Sequence, residues 1–330
     1  MDEEAARDED ITFESLGIPT SAPLAETAFG TVRRLSDLDK KEIVYGLCSC
    51  LGLVGVLALT IYRLAVVDTK DPDFAFALML LLNTIFCSFY LIHGLLRERP
   101  YEILILSVAV LVIWVYIVIN FDLGTKTTVK ITRLVIATVV SPVMIVLGLL
   151  IVKQYRDSGR LIFRTVGANT LLQNLCKTMF MCFGVIKLDL QLGISMLILI
   201  LTHADKVNTE DIVILSVGGV ITIAWFLIGY ISMRRENRVL SIVYFAGFPF
   251  EPAYVIYKIV ASAQDQNSKN DELAATTYTC AALALVVRAI LLYLSIAVFR
   301  NFGKGLKEKA FGEEETVHAV EQLPENPQPT

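Results

Sequence analysis

Eight stretches of about twenty or more predominantly apolar residues punctuate this 330-residue chain, and no other feature limits its fold so severely. An α-helix rises 1.5 Å per residue, so about twenty residues cross the ~30 Å hydrocarbon core of a bilayer. The runs fall at about Ile43–Val67, Phe74–Leu96, Tyr101–Phe121, Ile131–Val152, Met179–Leu201, Ile212–Met233, Val239–Val260 and Leu273–Phe299. They lack the period-two alternation over about ten residues that marks a membrane β-barrel strand. A hydrophobic share of 55% and a mean hydropathy of +0.61 agree with that reading. The sequence predicts an all-α, polytopic integral membrane protein of eight helices, with the lipid bilayer as its first partner. Residues 1–41 read as a disordered tail, 42–300 as the transmembrane domain, and 301–330 as a mostly disordered, acidic and proline-rich tail.

The connections carry a strong charge asymmetry. Lys and Arg total seventeen in the segments around 33–41, 97–100, 153–164, 234–238 and 300–309, against five in the alternate loops 68–73, 122–130, 203–211 and 264–272. Basic loops resist translocation, so both termini are expected in the cytoplasm. The start of the chain has no signal-peptide pattern, and the first run is expected to act as its own signal. The net charge of −4 reflects acidic tails, and nucleic acid is not an expected partner.

The longest internal connection, 153–178, is basic. From Asn169 it reads as a helix feeding the fifth run, with Leu171, Leu172, Leu175 and Met179 at spacings of three and four. A helix over 169–202 would be about 51 Å long, more than the hydrocarbon core. Its first turns are therefore expected at the interface, with Arg156, Arg160 and Arg164 near anionic lipid headgroups. A solvated loop that merely obeys the charge rule is the plainer alternative.

Ionisable groups deep in a bilayer cost at least about 2.5–3.5 kcal/mol each on insertion scales, so each needs a partner or a wet cavity. Four such groups, Lys187, Asp189, Glu251 and Arg288, fall at similar depth and sum to zero formal charge. One buried network is expected, pairing Glu251 with Arg288 and Asp189 with Lys187 or Arg288. Lys187 and Asp189 lie about 200° apart around a helix, so at least one must meet another helix. Lys187 also belongs to a polar stripe with Gln173, Lys177, Gly184, Gln191, Ser195 and Thr202, which should face protein or water.

The seventh run contains AGFPFEPAYVIY at 246–257. Pro249 and Pro252 lack N–H groups, which is expected to free the carbonyls of Phe245 and Phe248 and to break the helix beside Glu251. Broken helices at such depth form ion and substrate sites in transporters. Ser141-Pro142 reads as a kink, Asn83 and His93 as interhelical hydrogen-bonding groups, and SVGG at 216–219 as a close-packing face.

An enzyme is not expected. His93, His203 and His318 are dispersed, and HExxH, GxSxG and glycine-rich phosphate loops are absent from the sequence, so neither a metal nor a cofactor is predicted. The six cysteines lie in or beside apolar runs and read as small buried hydrophobes. The expected function is a channel or transporter for a small ion, with proton coupling as one form. The alternative is a non-transporting scaffold or receptor-like protein in which the same charges are structural.

Overall fold

The computed structural model describes residues 25–27, 30–33, 38–67, 72–123, 126–201, 209–264 and 271–310. A short antiparallel ribbon, β1 (Ala25–Thr27) and β2 (Gly30–Val32), precedes the helices. It falls in the stretch expected to be a disordered tail, as do the buried Arg33 and the first residues of α1, and in the C-terminal tail expected over 301–330 the described residues 301–310 include the buried Leu306; the remaining residues of both tails lie outside the described ones. Ten helices follow among the described residues: α1 (Lys40–Val66), α2 (Pro72–Leu96), α3 (Pro100–Leu123), α4 (Thr128–Ser158), α5 (Arg160–Val166), α6 (Thr170–Leu201), α7 (Thr209–Arg234), α8 (Arg238–Gly247), α9 (Phe250–Gln264) and α10 (Asp271–Phe299). Eight spans long and apolar enough to cross a membrane result, with α8 and the start of α9 forming one of them. The protein is an integral, multi-pass membrane protein.

Local chemistry sets the helix boundaries. α4 ends where Gly159 adopts φ 59° and donates its N–H to the Tyr155 carbonyl at 3.2 Å, a left-handed stop that glycine takes without Cβ strain. Asn169 caps α6, its Oδ1 accepting from the N–H groups of Leu171 and Leu172 at 3.1 and 3.3 Å. At 32 residues α6 is about 48 Å long, close to the length expected from sequence. The turns before α3 and α8 each place a glutamate at positive φ, Glu98 at 52° and Glu236 at 50°. Each holds a neighbouring segment: Glu98 pairs with Arg33 at 3.0 Å, and Glu236 accepts from the Gly303 N–H at 2.7 Å. Pro142 leaves α4 an unbroken helix.

α6 is the hub of the bundle. It packs against α2, α3, α5, α7 and α10, with α1 and α4 at one edge and α7 to α9 at the other. About 72% of its best membrane window is buried, against 22% for α1, so polar groups on α6 meet protein on several sides while α1 turns most of its surface to lipid. Leu51 and Val54, both exposed, illustrate that lipid-facing surface on α1. Two apolar clusters fill the interior. One joins α1 to α4 with the later part of α6 and α10, and the other joins α5, α7 and α8 with the earlier part of α6 and the end of α10.

Candidate functional site: a split charge layer around α6

Successive polar residues on α6 point to different neighbours, as a 100° step per residue requires. Lys187 faces α3, where its Nζ donates to Glu102 Oε1 at 2.6 Å. Glu102 also pairs with Arg99 at 3.3 Å and with His93 Nδ1. The Lys187 ammonium lies 5.3 Å from the centroid of the Phe89 ring, on which His93 stacks. Gln191 and Ser195 face α2. Gln191 Nε2 donates to Asn83 Oδ1 at 2.5 Å, and Asn83 Nδ2 donates to Ser195 Oγ at 3.2 Å and to the Met79 carbonyl at 2.8 Å. Asn83 and His93 are thus the interhelical partners their positions suggested.

Asp189 faces α10. Its Oδ2 lies 2.9 Å from Arg288 Nη1 in an ion pair, and the other arm of the same guanidinium, Nη2, engages Glu251 on α9. The guanidinium carbon stands 5.0 Å from the centroid of the Phe248 ring. Arg288 is 5% exposed in its side chain, Asp189 14% and Glu251 29%, so Glu251 is the member that reaches open space. That space is a cavity of about 600 Å³ between α6, α7, α9 and α10, lined by Gly193, Met196, Ile221, Thr222, Trp225 and Phe250 among others. Gly193 makes room for the carboxylate, since a Cβ there would stand 3.3 Å from Glu251 Oε1.

The expectation of a single neutral network is therefore corrected. Glu102 takes Lys187 away from the layer, because the two lie on the facing sides of α3 and α6. What remains is two carboxylates sharing one guanidinium, a formal charge of −1. Glu102 is the charged residue of the third apolar run and the second residue of it, a place where hydropathy alone does not separate an interfacial carboxylate from a buried one. The polar stripe is also divided. Gln191 and Ser195 are buried against α2, whereas Lys177 is exposed and lines a second cavity nearer the basic end. Thr202 lies outside the described residues.

The break at the two prolines is present, with α8 ending at Gly247 and α9 starting at Phe250. One detail differs from expectation. The Phe245 carbonyl is not free, because the Phe248 N–H reaches it at 3.2 Å in a tightened last turn. Gly247 is pinned in this turn by Trp225, whose ring atom Cη2 would lie 2.0 Å from any Cβ at that position. Within SVGG, Gly218 packs against Leu197 while Gly219 faces open space, so only part of that segment forms a close-packing face.

At the basic end, Arg33 bridges Glu42 at 3.3 Å and Glu98 at 3.0 Å, and Arg160 reaches Glu98 at 3.5 Å. Burial opposes the charge on Arg33, but Glu98 and Glu42 outweigh it and raise its pKa. Arg160 is thus tied to protein as well as facing outward, whereas Arg156 and Arg164 are exposed.

Among the described residues, no group of three or more His, Cys, Asp or Glu side chains could hold a metal ion. Neither a curated protein nor a solved structure matches the chain. A family model does, the domain of unknown function DUF7789, over residues 29–153 and 166–297. The two matched stretches carry four spans each, and the gap between them falls on the end of α4 and on α5. The chain belongs to the DUF7789 family.

Proposed function

We propose that this protein carries a small cation, in the first instance the proton, across a membrane, with Asp189, Glu251 and Arg288 as its binding centre. One observation supports this above others. Two carboxylates share one guanidinium deep in the bundle, and the more exposed of them faces a cavity at a broken helix. A formal charge of −1 in low dielectric is relieved by taking up one proton or cation. The walls beyond the charged groups are largely apolar, which suits a proton better than a metal ion that needs a full shell of oxygen ligands. Lys187 belongs to this reading only as a separate, neutralised contact with Glu102. The reading is of a transporter and not of an enzyme.

The alternative, a scaffold with structural charges, draws support from Arg288, which engages both acids and stacks near Phe248. For either reading we place the basic face, with both termini, on the cytoplasmic side, and set Arg156 and Arg164 against anionic headgroups, with Arg160 shared between them and Glu98.

Flux separates the two readings. Purified protein in vesicles holding a pH-sensitive dye should pass protons down a gradient, and Glu251→Gln, nearly isosteric but fixed neutral, should abolish this per folded molecule. Pro249→Ala with Pro252→Ala restores two backbone donors and should change the rate while leaving the fold intact. Absence of flux from the parent protein over a range of pH and salt gradients would remove the transport reading and leave the scaffold.

A further inference from the structure

A second cavity, of about 700 Å³, lies where the basic ends of α3, α4, α5 and α6 meet. Its size falls within the ~300–1,000 Å³ usual for small-molecule sites. Lys153 and Arg156 reach it from the last turns of α4, and Lys177 reaches it from α6. One acid, Asp157, shares the lining, which leaves a formal excess of positive charge. These cations differ from their neighbours. Arg33 and Arg160 are committed to Glu42 and Glu98, whereas Lys153, Arg156 and Lys177 form no ion pair with a described acid.

The remainder of the wall is apolar. Leu104, Leu149 and Met181 line the part of the cavity nearer the bilayer, and Leu149 is 46% exposed on the outer surface of α4. A ligand that fits both halves has an anionic head and an apolar body. Three cations lining one cavity from two helices suit a dianionic phosphate monoester better than a single carboxylate, because ammonium and guanidinium groups can share its three outer oxygens.

We propose that this cavity is a binding site for a phosphate monoester, presented by the headgroup of a membrane lipid whose acyl chains run down the exposed side of α4. The proposal rests on the basic face lying at anionic headgroups and adds a built pocket to that placement. Lipid bound there would join the end of α4 to the start of α6 across α5, the stretch that separates the two family-matched halves.

The test uses the full chain in nanodiscs, with phosphatidylinositol 4-phosphate, phosphatidylserine or phosphatidylcholine doped into an otherwise constant lipid, and retained lipid counted by native mass spectrometry. The parent should retain the phosphomonoester lipid selectively. Each lost cation should weaken that retention about fivefold, so Lys153→Gln, Arg156→Gln and Lys177→Gln together should lower it by about two orders of magnitude. A control with equal charge change, Arg235→Gln, Arg238→Gln and Arg300→Gln, removes exposed cations of the same face away from the cavity. It should leave selectivity unchanged. Equal losses in both triple variants would overturn the pocket while keeping the headgroup placement of the face; no preference for either anionic lipid over phosphatidylcholine would overturn both. Lys177→Gln alone supplies a milder variant should the triple one fold poorly. Competition by inorganic phosphate or by soluble inositol 1,4-bisphosphate, as strong as by the lipid, would keep the phosphate chemistry and overturn the lipid as its source.

Discussion

Two carboxylates, Asp189 and Glu251, depend on the single guanidinium of Arg288. Removing one partner of a buried ion pair typically costs about 3–5 kcal/mol, since the charge left behind has lost its compensation. Arg288→Met should approach that figure, read as a lower melting temperature and lower yield of folded protein. Adding Glu251→Gln to Arg288→Met should recover part of the loss, whereas additive effects would show that the pair does not act as a unit. The Lys187 contact has a different logic. Glu102 retains Arg99 and His93 when Lys187 is replaced by Met, but Lys187 loses its carboxylate when Glu102 is replaced by Gln. Glu102→Gln is therefore expected to destabilise more than Lys187→Met. Thermal unfolding of the two variants side by side checks the order.

The broken span owes its shape to more than its prolines. Trp225 of α7 lies directly on Gly247, and Tyr244 lies on Gly229, so α7 and α8 approach through two aromatic-on-glycine contacts. Gly247→Ala forces a Cβ into the indole, and overpacking of this kind typically costs about 1–3 kcal/mol. Gly219→Ala, which meets open space, should be nearly silent. A melting-temperature difference between these two variants tests whether the close contact, and not glycine content, holds α7 to α8. On the opposite side of α6, Ser195→Ala removes the hydroxyl that Asn83 reaches, while the Gln191 contact to Asn83 stays. A loss of about 1 kcal/mol or less is expected, as for single interhelical hydrogen bonds in membrane proteins.

Across the whole molecule, eight spans and the alternation of basic and non-basic connections make one topological prediction. Single cysteines placed in 68–73, 122–130, 203–211 and 264–272 should react with an impermeant thiol reagent from one side of the membrane, and those in 153–164 and 234–238 from the other. The native cysteines interfere little, because Cys87, Cys176, Cys182 and Cys280 are buried and Cys48 and Cys50 lie on α1 within its membrane span. Labelling of both sets from a single side would refute the eight-span arrangement.

The spans, the helix break and the common level of Asp189, Glu251 and Arg288 were legible in the linear chain. Each rests on a local quantity: the length of an apolar run, the missing N–H of a proline, or a count of residues at 1.5 Å each. Even the direction in which Lys187 and Asp189 diverge follows from a helical step. Which helices receive them does not. Depth fixes a residue along the membrane normal, but its partner depends on how helices are arranged around that normal, and hydropathy carries no record of it. Glu102 on α3 therefore captured Lys187 and left Asp189, Glu251 and Arg288 with unequal charge, an imbalance that only the packing of α3, α9 and α10 around α6 could decide.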